Sequence, residues 1–338
     1  MTYGTTAEPA NLFPVRSTFF RALRSDPMSL KMKLVAAYLR RTQHPLLASP
    51  DKLRRALEQP RTSAPVPHEL YQVNHVVSDE VTTPAGTFAV HSLVPATDAP
   101  RDTPLDICVY LHGGAYVSGL DVRHWSLISD LAASGTRVIV LDYGLAPEHD
   151  AEDALSLLDT VIGDAAAEAE RSGHRLRLAG DSAGGGLALG WMLTTGHRDA
   201  ASAVDRVGLI SPWLDVTCST PGLDALVADD PWLHPAGLRV AGEAWAGGRS
   251  LQDPLVSPLA ATDSVLASLP QVRVWTGTRD ILHADALALD GRLTACGVDH
   301  EIRTTPGAVH VHPLTPTPEG RAAQQEVIAW LSGGTDSD

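Results

Sequence analysis

The sequence predicts an α/β fold, with a mostly parallel central sheet and helices on both faces. Short apolar runs alternate with helical patterns from about residue 107 onward, which is the order of a parallel sheet with crossover helices. The chain has 338 residues, of which 44% are hydrophobic and 20% charged. That length and composition suit one large α/β domain with an accessory subdomain.

The N-terminal part is predicted to be helical. Residues 17 to about 58 repeat apolar side chains at helical spacing, including Phe19, Phe20 and Leu53. A proline-rich connector follows, and no strand pattern precedes it. We therefore predict a helical segment over residues 1–65, outside the sheet, and the main domain over residues 66–338.

The main domain begins with apolar and polar residues in alternation from about 71 to 91, a pattern that predicts two strands joined by a turn at 84–86. Apolar runs starting at positions 107, 138, 176, 207 and 272, together with the segment 301–303, predict the other strands, with helices between them. Residues from about 215 to 250 interrupt this order and are rich in Asp, Pro, Gly and Trp. We predict an insertion there, with only short helical stretches, over the C-terminal edge of the sheet.

Composition narrows the function classes. The net charge of −14 disfavours nucleic acid and anionic membranes as partners. The three cysteines are far apart and lack metal-binding spacing, which favours reduced and partly buried thiols. Neither a metal nor a cofactor is expected. No signal peptide or membrane-spanning run is recognised, and the predicted location is cytoplasmic.

The first motif with chemical meaning is Gly180-Asp181-Ser182-Ala183-Gly184, between an apolar run and a helical pattern. Gly-x-Ser-x-Gly at a strand-to-helix turn is the nucleophile elbow. Small neighbours let the serine occupy a strained turn, and the following helix directs its N-terminal amides toward a developing oxyanion. On the motif alone, a plain small-residue turn is an equally good interpretation.

Upstream, a glycine-rich loop follows another apolar run, with the sequence His112-Gly113-Gly114-Ala115-Tyr116. Such a loop can supply backbone N–H donors for the oxyanion of a tetrahedral intermediate. An ordinary strand-end turn is the alternative interpretation.

A serine nucleophile needs a histidine as base and a carboxylate that orients the histidine. In α/β proteins with a nucleophile elbow, these residues follow along the chain in the order Ser, Asp or Glu, His. Asp280 follows the apolar run at 272, and His310 follows the predicted strand near Ile302, so that order is met. Asp285, His283 and His312 lie nearby and compete for the two roles. Glu148 and His149 also follow a strand but precede the serine, which fits the order poorly.

These residues resemble those of the hormone-sensitive-lipase-like family, the bacterial α/β-hydrolase fold-3 esterases. The resemblance covers residues 107 to 313 and rests on the glycine-rich loop, residues 142–149, the elbow, Asp280 in Gly-x-x-Asp-Ile-Leu and Gly307-x-x-His310. It also includes residues 211–215 and 253–258.

The resemblance implies an α/β-hydrolase fold with Ser182, Asp280 and His310 as a catalytic triad. It implies an oxyanion hole of three backbone amides, those of Gly114, Ala115 and Ala183. Ala115 stands where the family usually has a third glycine, but alanine also carries an N–H. Residues 1–65 and the insertion at 215–250 would form a cap, and a homodimer is also implied.

The predicted function is hydrolysis of short to medium acyl esters by a serine carboxylesterase acting on a small-molecule substrate. Hydrolysis of a lactone, amide or carbamate on the same triad is one alternative. A non-catalytic ligand receptor is the other, although the presence of all three triad residues argues against it. Tyr116 and Trp213 are predicted to bind substrate, and Trp125, Trp232 and Trp245 are further candidates for the pocket or the cap, with core packing as the competing interpretation.

Overall fold

The computed structural model describes residues 28–96, 105–194 and 199–333, and these contain an eight-stranded sheet. The strands run in the spatial order β1-β2-β4-β3-β5-β6-β7-β8. Their bounds are β1 Asn74–Thr83, β2 Gly86–Pro95, β3 Ile107–Leu111, β4 Arg137–Asp142, β5 Leu176–Asp181, β6 Val204–Ile210, β7 Gln271–Arg279 and β8 His300–Val309.

The sheet is mostly parallel, as predicted. Strands β1 and β2 form an antiparallel hairpin, and β2 pairs antiparallel with β4. All neighbouring pairs from β4 through β8 are parallel. Parallel pairing brings the C-terminal ends of β5, β7 and β8 to one edge, and this edge carries the predicted site residues.

Helices fill both faces of the sheet, which confirms the predicted fold class. Alternate residues of β3 divide between two apolar clusters, with Val109 in one and Tyr110 in the other. The helices are α1 Leu30–Thr42, α2 His44–Leu47, α3 Pro50–Leu57, α4 Leu70–Val73, α5 Val122–Ala133, α6 Ala151–Ser172, α7 Ala183–Thr194, α8 Asp199–Ser202, α9 Pro235–Ala246, α10 Asp263–Leu266, α11 His283–Cys296 and α12 Pro318–Leu331. Helices α5 and α12 pack in the cluster of Tyr110, and α6, α7, α9 and α11 pack in the other.

The described N-terminal helices lie against the sheet and the insertion. Helix α1 packs through Met32 and Leu39 against Val309 at the end of β8. Helices α2 and α3 contact α9, and a Cβ at Gly237 would lie 2.4 Å from the carbonyl oxygen of Leu47. The predicted helical positions Phe19 and Phe20 lie outside the described residues, and the domain boundary near residue 65 stays a prediction.

The insertion at 215–250 is more helical than its sequence predicts, because α9 has 12 residues. Its start is regular, with Pro235 in the first turn and the His234 side chain accepting the amide N–H of Ala236. Two internal glycines, Gly237 and Gly242, lower its intrinsic propensity by about 1 kcal/mol each. Gly237 packs closely against Leu47, and Gly242 packs closely against Val216. This packing compensates for the low helix propensity of the two glycines.

No helix in residues 28–96, 105–194 and 199–333 is long and apolar enough to cross a membrane.

Candidate active site

Ser182 lies on a sharp turn between β5 and α7, as the elbow motif predicts. Its φ angle is +51°, in the left-handed region that costs a non-glycine residue energy. Its amide N–H donates to the carbonyl oxygen of Ile210 at 2.8 Å, which fixes the turn to the neighbouring strand. A Cβ at Gly184 would lie 2.1 Å from the carbonyl oxygen of Leu111, so this position of the motif requires glycine.

Ser182, His310 and Asp280 form a hydrogen-bonded relay. His310 Nε2 lies 2.9 Å from Ser182 Oγ, and His310 Nδ1 lies 2.8 Å from Asp280 Oδ2. Ser182 is 7% exposed, His310 2% and Asp280 0%. Exclusion of water strengthens each of these hydrogen bonds and keeps the imidazole in one orientation.

The backbone after His310 is also held in an unusual conformation. Val311 has a φ angle of +46°, which is a strong outlier for a β-branched residue. Its amide N–H donates to Ser211 Oγ at 3.1 Å, and Ser211 itself follows β6 with a φ of +46°. Neighbouring strands thus fix the turns that carry the serine and the histidine.

The competing residues of the sequence lie elsewhere. Asp285 Oδ2 accepts the amide N–H groups of Leu214 and Asp215, at 2.9 and 3.2 Å, so it secures the start of the insertion. Burial raises the pKa of the Asp285 carboxyl to about 7. His283 Nδ1 lies 3.4 Å from the Thr276 hydroxyl and not in the relay.

His312, the remaining competitor, is buried in the turn after His310. Neither of its ring nitrogens has a partner among the described residues. Burial lowers its pKa to about 4, so the imidazole is neutral at pH 7. The lack of a partner on either nitrogen is what places His312 outside the relay.

The glycine-rich loop presents free amides beside the elbow. Gly114 has a φ of +126° and Ala115 a φ of +52°, so alanine takes the left-handed conformation that a third glycine would occupy more easily. Within the described part of the chain, the amides of Gly114 and Ala115 donate to no other protein group. A Cβ at Gly114 would lie 2.2 Å from the carbonyl oxygen of Ser118, which explains this glycine.

Asp181, which sequence analysis did not single out, holds that loop in place. Its Oδ1 accepts the amide N–H of Gly113 at 2.9 Å and the hydroxyl of Tyr110 at 2.7 Å. Burial would raise the pKa of this carboxyl, but the charge of and hydrogen bond to His124 lower it below its ordinary value. The elbow motif marks the position of Asp181 but not its role, because the partner amide of Gly113 is 68 residues away in the chain.

Tyr116 and Trp213, predicted to bind substrate, are instead core residues. Both are fully buried. The Tyr116 ring stacks on Trp245 with centroids 4.2 Å apart and on Trp213 with centroids 5.6 Å apart. A fully buried ring offers no surface to a ligand, so the substrate-binding assignment of both residues is corrected to packing beside the glycine-rich loop.

Asp230, from the insertion, lies behind the relay and was not predicted. Its Oδ2 accepts the amide N–H of Ile281, next to Asp280, at 2.9 Å. Its Oδ1 accepts the amides of Trp232 and Leu233 at 2.7 and 2.9 Å. Burial and the nearby charge of Asp280 raise the pKa of Asp230 to about 6. No sequence pattern indicates this role, because Asp230 and Ile281 are 51 residues apart in the chain.

The charges around His310 set its protonation. Burial alone lowers the pKa of this imidazole, but the charge of and hydrogen bond to Asp280 raise it, and the charges of Asp230 and Asp181 add to that effect. The result is a pKa above the ordinary value. A base must be neutral to accept a proton, so activity should fall as the pH drops through this raised pKa.

Asp230→Asn is therefore expected to move the acid limb of the kcat/KM profile to lower pH, because one charge that favours the imidazolium is removed. It should also lower the free energy of unfolding by about 1–3 kcal/mol, since Asn cannot accept all three N–H groups. A pH–rate profile and urea unfolding measure these effects. An acid limb at unchanged or higher pH would contradict this role for Asp230.

A buried serine, histidine and aspartate on three strand ends of a parallel sheet, beside free loop amides, define a hydrolase of the α/β class. A hydroxyl, an imidazole, a carboxylate and backbone amides are the groups that acyl transfer uses. No group of three or more His, Cys, Asp or Glu side chains in residues 28–96, 105–194 and 199–333 is arranged to hold a metal ion.

Comparison with known proteins agrees with this class. A family profile described as alpha/beta hydrolase fold matches residues 108–314. An acetyl-hydrolase of Streptomyces hygroscopicus is 32% identical over 237 residues, covering 67% of this chain and 75% of that protein. A carboxylesterase/phospholipase, LipF, of Mycobacterium tuberculosis is 30% identical over 242 residues, covering 68% of this chain and 62% of that one.

Among solved structures, brefeldin A esterase, described as a bacterial homologue of human hormone-sensitive lipase, superposes with a TM-score of 0.67. It covers 91% of this chain and 87% of that chain at 22% identity, which shows a shared fold. The chain belongs to the α/β-hydrolase fold family, and the resemblance to hormone-sensitive-lipase-type esterases is confirmed. It is an enzyme of the esterase and lipase class.

Proposed function

We propose that this enzyme hydrolyses carboxylic esters by acyl transfer through Ser182. His310 takes the hydroxyl proton while Ser182 Oγ forms a bond to the ester carbonyl carbon, and the same proton passes to the leaving alcohol as its C–O bond breaks. Water then attacks the acyl carbon and gives a proton to His310; the bond from that carbon to Ser182 Oγ breaks, His310 returns the proton to Oγ, and the acid is released. The relay of 2.9 and 2.8 Å contacts is the observation that supports this proposal.

The remaining groups have complementary roles in the proposed mechanism. Asp280 orients the imidazole and stabilises its positive charge. The amides of Gly114, Ala115 and Ala183 stabilise the tetrahedral oxyanion, and removing one such donor typically costs about 10²–10³-fold in kcat. The left-handed loop and the helix N-terminus preorganise these amides before substrate arrives.

We also propose that the acyl group is short to medium and that the N-terminal helices and the insertion cap the site. The low exposure of Ser182 favours a small binding space. Cavities of about 630 and 230 Å³ are present near α9 and near Arg292, and their linings include no residue of the relay. A cytoplasmic location and a homodimer remain predictions.

An ester should be the best substrate of a matched panel. We expect ethyl butyrate to be hydrolysed at least about tenfold faster than N-ethylbutyramide, γ-butyrolactone or ethyl carbamate, a barrier difference of about 1.4 kcal/mol or more. Release of acid from the ester and the lactone, of ethylamine from the amide and of ammonia from the carbamate, at one pH and enzyme concentration, measures each rate.

Two results would contradict the proposal. Faster turnover of the lactone, amide or carbamate would assign the relay to that bond instead. Binding of the esters without turnover, by protein with a native circular dichroism spectrum, would favour a ligand receptor.

A further inference from the structure

The insertion places one indole directly beside the relay. Trp232 lies in the irregular segment before α9, and its amide N–H donates to Asp230 Oδ1 at 2.7 Å. Asp230 also binds the amide of Ile281, the residue after Asp280. One buried carboxylate therefore fastens the Trp232 segment to the turn that carries the triad aspartate.

The Trp232 ring contacts the base itself. It packs against the imidazole of His310 in a T-shaped pair, with ring centroids 5.4 Å apart and planes at 75°. The guanidinium carbon of Arg123 lies 5.7 Å from the centre of the indole, a cation–π distance. The ring thus stands between α5 and the catalytic histidine.

Trp232 differs from the other tryptophans considered for the pocket. Trp125, Trp213 and Trp245 are fully buried, whereas Trp232 is only partly buried. It also packs against all three apolar clusters of the fold, those of the two sheet faces and that of α1 with β8. Its ring is held by packing on several sides, yet part of its surface is exposed to solvent.

The chemistry determines which part of an ester meets this ring. His310 must protonate the leaving alcohol oxygen, so that oxygen lies within about 2.6–3.2 Å of Nε2 in the reacting complex. The alcohol chain therefore begins beside the imidazole, and the indole of Trp232 packs against that same imidazole. The acyl chain extends instead from the carbonyl carbon, whose oxygen faces the loop amides.

We propose that Trp232 is a specificity-determining residue that restricts the enzyme to esters of small alcohols. This inference rests on the proposed function, because it assumes that Ser182 and His310 carry out ester cleavage. Shortening the side chain to alanine vacates the space beside the imidazole. Each methylene that then becomes buried should improve transition-state binding about fourfold.

Two ester series separate the alcohol side from the acyl side. One keeps acetate and varies the alcohol from ethyl to octyl; the other keeps ethanol and varies the acid from acetate to octanoate. For Trp232→Ala we expect the kcat/KM ratio of octyl to ethyl acetate to rise at least about tenfold, as a few added methylenes predict. The ratio of ethyl octanoate to ethyl acetate should change less than about threefold, and Trp232→Phe should be intermediate in the alcohol series.

Trp330→Phe is the matched control, because its ring contacts Trp275, Arg206 and Arg273 instead of the relay. It should leave both ratios unchanged. A rise confined to the acyl series, or no change in either ratio in folded Trp232→Ala and Trp232→Phe, would overturn the proposal. A uniform loss on every ester would also overturn it, since Trp232 would then only position His310.

Failure of the proposed function gives a different result. If Ser182→Ala retained wild-type ester turnover, the proposed role of Ser182 as nucleophile would be refuted, whatever the result for the Trp232 variants. If Ser182→Ala is inactive and the Trp232 variants keep the wild-type ratios, only the specificity inference falls.

Discussion

Ser182→Ala is expected to lower kcat for ethyl butyrate by about 10⁶-fold, the loss that comparable triads show. The hydroxyl is the only group of the relay that can form the acyl-enzyme, so no slower covalent route replaces it. The fold should persist, because the substitution leaves two backbone features of the elbow unchanged. These are the hydrogen bond from the Ser182 amide to the Ile210 carbonyl oxygen and the close approach of Gly184 to the Leu111 carbonyl oxygen. Initial rates at saturating ester, with a thermal unfolding curve, measure both.

Ser129→Ala is a suitable control for that experiment. Ser129 is buried to a similar degree, and its Oγ accepts from Asn74 Nδ2 at 3.0 Å, in α5 next to β1. We expect this variant to keep wild-type kcat within about threefold and to lose about 1 kcal/mol of stability. An equal loss of activity in both variants would show that general destabilisation, and not nucleophile removal, explains the Ser182 result.

Asp280→Asn is expected to lower kcat by about 10⁴-fold, as in a serine triad whose aspartate is replaced by asparagine. The amide has nearly the shape of the carboxylate, but it can hold His310 in the wrong tautomer and cannot stabilise its positive charge. The measurement is kcat for ethyl butyrate across pH 6–9, which separates a lost charge from a shifted optimum.

The matched control is Asp285→Asn, in the helix that follows the same turn. Both aspartates are fully buried, but Asp285 bonds the amides of Leu214 and Asp215 and makes no contact with His310 among the described hydrogen bonds. We expect Asp285→Asn to keep kcat within about tenfold. A larger loss of kcat in Asp285→Asn than in Asp280→Asn would instead assign the orienting carboxylate of the relay to Asp285.

Local patterns were sufficient for the fold and for the order of the relay. The alternation of apolar runs with helical stretches depends on neighbours along the chain, and it predicted the parallel sheet correctly. Ser182, Asp280 and His310 each follow a predicted strand, and parallel strands end at one edge of the sheet. Their approach in space therefore follows from periodicity and strand order.

The sequence was weaker where aromatic residues were concerned. Tyr116 and Trp213 carry large apolar surfaces that suit either a pocket or a core, and composition does not separate the two. The structure buries both with Trp245 and leaves Trp232 beside His310. Only the packing of the insertion against the sheet decides which ring reaches the site.

By itself, the sequence determined the class of fold, the elbow, the glycine-rich loop and the identity of the relay residues, because each depends on spacing within a short segment or on the order of strands. Tertiary structure alone decided the roles of Asp181, Asp230 and Trp232. Their partners are backbone amides or rings brought in from distant segments. The contacts of Asp230 and Trp232 form when the insertion packs on the sheet, and that of Asp181 forms where β5 ends beside the loop that follows β3. No local periodicity encodes them.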